Sequence, residues 1–240
     1  MIFDREPEDW RELEAFVQQM FAEMGCTAEV RRTIETVRGE VNIDVYVEDP
    51  TGTPAHIYLC ECKHWTNAVP KTVVHAFRTV VADFGANRGF LISNAGFQSG
   101  AYEAAQKSNV ELVTWDELQG LFLDRWVYSM GETLADIAEE IFPYIEPGNS
   151  KGSSRMKWNA ELHARRQDLE YKYQIFFDAS RYLYGPLRYR KAFPFRVPDP
   201  NSNAMEKGIR ILNSYREFYD LAFSLGETAL RELKTFYDEF

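Results

Sequence analysis

The sequence has few cysteines and no long hydrophobic run, and both absences narrow the class of protein. Among its 240 residues no stretch of 18 apolar residues occurs, so we expect no membrane-spanning helix. The acidic start, MIFDREPEDWRELE, lacks the apolar core of a secretion signal. Two of the three cysteines, Cys60 and Cys62, are neighbours at i and i+2 on one predicted strand, a spacing unsuited to a disulfide. We therefore expect a reduced, cytoplasmic protein.

Basic residues are outnumbered, and the imbalance is unevenly distributed. The chain holds 27 Lys and Arg against 37 Asp and Glu, a net charge of −10. Residues 1–147 carry a net −14 and residues 148–240 a net +4. This distribution argues against a simple cationic nucleic-acid binder and is compatible with a site that concentrates metal ions. A stretch rich in Gly, Ser and Pro, 146–154, predicts a linker between a domain at 1–147 and a second domain, of unknown role, at 148–240.

The periodicity of apolar residues predicts an α/β fold. In the first domain, helical spacing alternates with short strand patterns, so we expect a mixed sheet flanked by helices. The predicted helices cover 9–25, 70–84, 98–108, 115–124 and 126–142. The predicted strands cover 27–35, 41–48, 56–63, 89–93 and 110–114. In the second domain, 155–184 and 204–239 are predicted helical, which makes it a C-terminal helical domain.

Three charged residues in the predicted hairpin 41–63 form the most informative pattern. Glu61 and Lys63 are two residues apart on one strand, so their side chains share a face. Asp44 lies on the preceding strand, and pairing across the hairpin can bring it alongside Glu61. Paired carboxylates suit Mg²⁺, which polarises a phosphodiester and lowers the pKa of a bound water that a lysine can orient. A solvated face or a cross-strand ion pair is the competing interpretation.

At these residues the sequence resembles the PD-(D/E)xK nuclease superfamily. Asp44 matches the first acid and Glu61-Cys62-Lys63 the (D/E)xK motif. The similarity is greatest to the Mrr-like restriction endonucleases, over about residues 9–122, and includes LEAFVQQMFAEMGC, RGEVNIDVYV and ANRGFLISNAGFQSG. The approach to Asp44, Glu40-Val41-Asn42-Ile43, lacks the two glycines usual in the family. The resemblance implies a restriction-endonuclease-like core and metal-dependent cleavage of foreign or modified DNA.

The resemblance also implies roles for individual residues. Asp44 and Glu61 would bind Mg²⁺, or Mn²⁺ in its place, and Lys63 would position or activate the attacking water. Glu14, on the opening helix, matches the family's helix-borne acid; its alternative is an exposed carboxylate on an acidic helix. The expected partners are DNA and, because two strands must be cut, a second copy of the chain or a partner subunit. A silent nuclease-fold subunit for DNA binding or assembly, and a nuclease acting on RNA, are the alternatives.

Weaker candidates lie close to this set. Lys71 begins a predicted helix beside the site and is a candidate contact to a backbone phosphate, or else a solvated lysine. Ser93 and Asn94 end a predicted strand and are candidate DNA contacts. The three cysteines lack the spacing and the fourth ligand of structural zinc, so we expect them to be buried small residues.

Overall fold

The computed structural model describes residues 1–145, 158–180 and 193–239, and these form two compact units. Residues 5–126 make up nearly all of the first unit. The second unit comprises residues 2–4 and the described residues from Val127 onward. The predicted boundary at 147/148 lies outside the described residues and stays a prediction. Residues 127–145 group with the second unit, so the change from one unit to the other falls within the helix Trp115–Ala138.

The first unit is a five-stranded mixed sheet with helices on both faces. Its helices are α1 (Trp10–Glu23), α2 (Lys71–Phe84), α3 (Ser99–Ala105) and the first part of α4 (Trp115–Ala138). Its strands are β1 (Thr27–Thr36), β2 (Gly39–Asp49), β3 (His56–Lys63), β4 (Arg88–Ser93) and β5 (Val110–Thr114). This arrangement confirms the predicted α/β class.

The sheet follows the order of the chain, β1-β2-β3-β4-β5. The first three strands are antiparallel, and β3, β4 and β5 are parallel. The parallel strands need crossovers, which α2 and α3 provide. Residue Cys60 pairs with Phe90 and Lys63 with Ser93, so the end of β3 lies beside the end of β4.

Local signals explain where the main helices begin and end. The Asp9 carboxylate accepts the backbone N–H of Glu12 at 2.9 Å and caps α1, and Gly25 follows the helix with a φ of 80°. Pro70 precedes α2, and Gly85 ends that helix in the left-handed region with a φ of 79°. These ends agree with the predicted helices within two residues.

The two sheet faces carry separate apolar clusters. Leu59 packs with Val74, Phe77 and Val81 of α2 in one buried cluster. The preceding residue of the strand, Tyr58, points to the other face, and its ring centre lies 6.1 Å from that of Phe21 on α1. Because neighbours on a strand point to opposite faces, α1 and α2 cover opposite faces of the sheet.

Two helix predictions need correction. Residues 115–124 and 126–142 were expected as separate helices, but α4 runs unbroken from Trp115 to Ala138. Arg125, at the expected break, is a good helix former and no Gly or Pro interrupts the chain there. A short helix, α5 (Phe142–Ile145), follows.

The second unit is helical but also contains a small sheet that the sequence analysis missed. Its further helices are α6 (Ala160–Lys172), α7 (Gln174–Ser180) and α8 (Tyr215–Asp238). Strands β6 (Phe195–Pro198) and β7 (Ile209–Leu212) pair antiparallel, so the expectation of helix over 204–214 is wrong. Alternation within Ile209-Arg210-Ile211-Leu212 is too short to be distinguished from a helix start. None of the helices in the described ranges is long and apolar enough to cross a membrane.

Candidate active site

Asp44 and Glu61 lie where β2 and β3 stop pairing. The register runs from Asp49 opposite His56 to Val45 opposite Cys60, and Asp44 and Glu61 are the next residues along their strands. The Asp44 carboxylate accepts the backbone N–H of Cys62 through Oδ2 at 2.8 Å. The hairpin therefore brings the two predicted acids to one point, as the spacing indicated.

Lys63 joins the two acids. Its Nζ donates to Glu61 Oε1 at 2.6 Å and lies 3.7 Å from Asp44 Oδ2. The carbonyl oxygen of Cys62 is 3.4 Å from the same Nζ. The ammonium is thus surrounded by three oxygen atoms, from Glu61, Asp44 and Cys62. Oxygen atoms of this kind are the ligands that a hard cation such as Mg²⁺ prefers.

The charges at this point perturb one another. Burial raises the pKa of Glu61, and the nearby Asp44 carboxylate raises it further. Burial by itself lowers the pKa of Lys63, but the Glu61 carboxylate outweighs burial, so that the Lys63 pKa lies above its ordinary value. Lys63 therefore carries a protonated ammonium at neutral pH, which can bind an anionic oxygen.

Glu14 is brought to the same place from α1, and it is buried rather than exposed. The Glu14 side chain is 6% exposed, and burial raises the pKa of its carboxyl group. The Asp44 carboxylate raises that pKa as well, while the Arg31 guanidinium and the Lys63 ammonium oppose the rise. The alternative of a solvated carboxylate on an acidic helix does not fit this burial.

Arg31 is the site residue that sequence reasoning missed. Its Nε donates to Glu14 Oε2 at 3.0 Å, and its guanidinium lies 4.6 Å from the centre of the Trp10 ring. The backbone of Arg31 has a φ of 53°, which a residue with a Cβ seldom adopts. Arg31 and Arg32 are adjacent in the sequence, and no sequence pattern indicates which of the two side chains points toward α1.

The candidate DNA contacts fall in different environments. Lys71 is exposed at the start of α2, and Asn94 is exposed just after β4. Ser93 is fully buried, and its hydroxyl donates to the Gly96 carbonyl at 3.1 Å. We therefore omit Ser93 from any DNA-contact surface, since a side chain without solvent access cannot reach a phosphate.

The donor set fits a divalent metal, although it is not arranged as a closed cage. Within the described ranges, no group of three or more His, Cys, Asp or Glu side chains is positioned to hold a metal ion. Asp44, Glu61 and the Cys62 carbonyl offer three oxygen ligands, a set that suits Mg²⁺ completed by waters and substrate oxygens. The three cysteines are free and buried, as expected.

The comparisons with known proteins identify the domain that carries this site. Residues 6–122 match the model of the family Mrr_cat, described as restriction endonuclease. This match is consistent with an Mrr-like nuclease of the PD-(D/E)xK type. The chain thus carries a nuclease domain of restriction-endonuclease type, with the restriction-endonuclease-like core expected from the sequence. DNA is the substrate such a domain implies, and the family typically uses a divalent metal.

Two further comparisons add no functional information. A crystal structure described as a protein of unknown function, AF1548, is similar with a TM-score of 0.41 and 16% sequence identity. The similarity covers 55% of this chain and 78% of that one. Comparison with curated proteins found no match.

Proposed function

We propose that the chain is a metal-dependent DNA endonuclease that hydrolyses phosphodiester bonds in defence against foreign or modified DNA. The observation that supports this most is the convergence of Asp44, Glu61 and Lys63 where two strands part, within a domain of restriction-endonuclease type. Such a set combines oxygen ligands for a cation with a fixed ammonium, which are the groups that phosphodiester hydrolysis needs.

Each side chain has a task in this proposal. The carboxylates of Asp44 and Glu61 hold Mg²⁺, or Mn²⁺ in its place. An ion held by these carboxylates would polarise the phosphodiester and lower the pKa of a bound water. Lys63 orients the attacking water and stabilises the hydroxide formed from it, because its ammonium is protonated and held by Glu61. Glu14 supports the metal or its waters from α1, and Arg31 orients Glu14.

An acidic domain needs local positive charge to hold DNA, and one basic cluster supplies it. Arg38, Arg78 and Lys107 line a cavity of about 560 Å³ with His75, beside Asp83. Asp83 pairs with Arg38 at 2.7 Å and so offsets one of these charges. Together with Lys71 and Asn94, this cluster is the proposed phosphate-contact surface, because cations are the usual partners of a DNA backbone.

The proposal also includes a cellular compartment and an oligomeric state. Three buried free thiols are compatible with a reducing cytoplasm. Cutting both strands of a duplex requires two sites, so we infer that the chain acts as a homodimer or with a partner subunit.

The test is cleavage of supercoiled plasmid DNA, methylated and unmethylated, by the full chain. Nicked or linear DNA is expected with Mg²⁺ or Mn²⁺ and not with EDTA. Equal products in EDTA contradict metal dependence. Single-stranded DNA and RNA, run in parallel, separate the DNA enzyme from an RNA nuclease.

A non-catalytic DNA-binding or assembly subunit is the second candidate, favoured by one observation. The net charge of −14 over residues 1–147 repels DNA unless a partner helps. Salt-dependent DNA binding without cleavage under any divalent metal would support this second candidate over the enzyme.

A further inference from the structure

A groove of about 430 Å³ adjoins the candidate active site in the first unit. Its floor is apolar, and its rim carries Glu61, Lys63 and Trp65. The apolar and small lining residues come from β2 and α2: Val41, Ile43, Val73, Ala76, Phe77 and Val80. We propose that this groove receives an unpaired nucleobase of the DNA strand being cut. The inference rests on the proposed function and adds a substrate class to it.

The groove is continuous with the candidate active site, so a substrate bound at that site can extend into it. Glu61 and Lys63 belong both to the groove and to the candidate catalytic set, so no protein wall separates them. A phosphodiester placed against Lys63 carries a nucleoside on each side. One of these nucleosides must therefore lie next to the groove.

The walls suit a flat, weakly polar ring. Trp65 is 42% exposed at the rim, and its ring centre lies 5.9 Å from Lys63 Nζ. An exposed indole next to Lys63 offers a surface on which a base can stack. Asn42, exposed on the same rim, carries an amide that can donate to and accept from a base edge. The volume lies within the usual range of ligand pockets, roughly 300–1,000 Å³.

A base within a duplex cannot use this groove. Its faces are covered by its neighbours, and only its edges reach solvent. Extruding a paired base costs free energy, because its stacking and pairing are lost, and the cost is least for a mismatched, damaged or already unpaired base. The groove therefore gives a preference for DNA with an unpaired base beside the scissile phosphate.

The experiment compares three labelled duplexes in EDTA, so that binding is read without cleavage. One duplex is fully paired, one has a single bulged adenine, and one has an abasic bulge of the same length. We expect the bulged adenine to bind about tenfold more tightly than the other two, since a tenfold change corresponds to about 1.4 kcal/mol. Equal affinity for the adenine and abasic bulges would overturn the inference, as would no binding to any of them.

Variants assign the preference to the groove. Ala76→Phe fills the exposed floor from α2, and Trp65→Ala removes the stacking surface; both should abolish the tenfold preference. Tyr102→Ala, which removes another exposed aromatic ring outside the groove, should retain it. A thermal melt checks that Ala76→Phe folds, and Trp65→Ala carries the test by itself if it does not. Retention of the preference in Trp65→Ala contradicts the proposal.

The binding preference and the nuclease activity can fail independently of each other. Cleavage of plasmid without any preference for the bulged adenine removes the groove's role and leaves the nuclease. A preference for the bulged adenine without cleavage under any metal removes the nuclease and leaves the groove as a DNA-binding site.

Discussion

Asp44 has two tasks that a single change can separate. Its carboxylate accepts the Cys62 N–H at 2.8 Å, which fixes the end of β2 against β3, and it supplies charge beside Glu61 and Lys63. An asparagine retains the hydrogen-bond acceptor but removes the charge. The metal-binding and structural tasks of this residue can therefore be measured apart.

We predict that Asp44→Asn loses Mg²⁺ binding while the melting temperature stays close to that of the wild type. The reason is that a neutral amide oxygen replaces one of two carboxylate ligands. Isothermal calorimetry with Mg²⁺ measures the binding, and Glu48→Gln, an exposed change on the same strand, is the control that should bind normally. An unchanged titration in Asp44→Asn would remove this residue from the metal site.

Arg31 contributes by holding a buried acid. We predict that Arg31→Ala lowers the free energy of unfolding by about 1–3 kcal/mol, because the Glu14 carboxylate is left buried without its 3.0 Å donor. Urea unfolding measures the loss. In a Glu14→Gln background the same change should cost much less, and an equal cost in both backgrounds would show that the two side chains do not act as a pair.

The site could be predicted from the sequence only in part. Glu61 and Lys63 were predictable, because two residues at i and i+2 on a strand share a face whatever surrounds them. The resemblance supplied Glu14, but its burial depends on how α1 packs, which the chain pattern does not show. Arg31 needed the structure, since its orientation follows from a positive φ that no sequence signal marks.

At the scale of elements, one ion pair links α4 to the far end of β2. Arg125 donates through Nη2 to Asp49 Oδ1 at 2.9 Å, and Asp49 is 1% exposed. Burial alone raises the pKa of Asp49, but hydrogen bonds from Arg125, Thr51 and Tyr58 outweigh it and hold the pKa well below its usual value. The folded state therefore prefers the charged carboxylate.

This pair predicts a pH dependence of stability. A carboxyl group whose pKa is lowered by folding stabilises the protein above the pKa of the unfolded chain, near 3.9, and loses that contribution as the pH falls below it. Arg125→Met should cost about 3 kcal/mol at neutral pH, because Asp49 becomes a buried unpaired charge. Urea unfolding at several pH values measures both effects.

The control for this prediction is the pair Arg88 and Glu111, whose side chains are 50% and 34% exposed. Arg88→Ala should cost less than about 1 kcal/mol, as surface pairs usually do. Equal costs for Arg125→Met and Arg88→Ala would show that the burial of Asp49 does not matter.

Elements were predictable where the pattern was long or ended clearly. Strands β1 and β2 alternate between apolar and polar residues over most of their length, and Gly25 and Gly85 mark the ends of α1 and α2. The pair β6 and β7 was missed because each strand has only four residues, too few for a period of two to be read. The break predicted in the middle of α4 was wrong because no Gly or Pro stands at Arg125, so nothing in the local sequence ends the helix there.

At the scale of the whole molecule, charge sets a condition for binding DNA. The net −14 over residues 1–147 includes Asp44 and Glu61, the acids proposed to hold the metal. We predict that Mg²⁺ tightens DNA binding beyond the effect of an equal ionic strength of NaCl, because a bound divalent cation neutralises Asp44 and Glu61 directly. Fluorescence anisotropy with Lys63→Ala, which should not cut the probe, measures this. Equal affinity in Mg²⁺ and in matched NaCl would contradict a metal bridge between protein and DNA.

The central claim is that the cluster of Asp44, Glu61 and Lys63 cuts DNA, and one comparison tests it most directly. It is the rate of plasmid cleavage in Mg²⁺ by the wild type, by Lys63→Ala and by Lys207→Ala, an exposed lysine of the second unit. The account predicts that Lys63→Ala loses at least about 10²-fold in rate while it still melts in a cooperative transition, and that Lys207→Ala cuts normally. Cleavage by Lys63→Ala at the wild-type rate would contradict it.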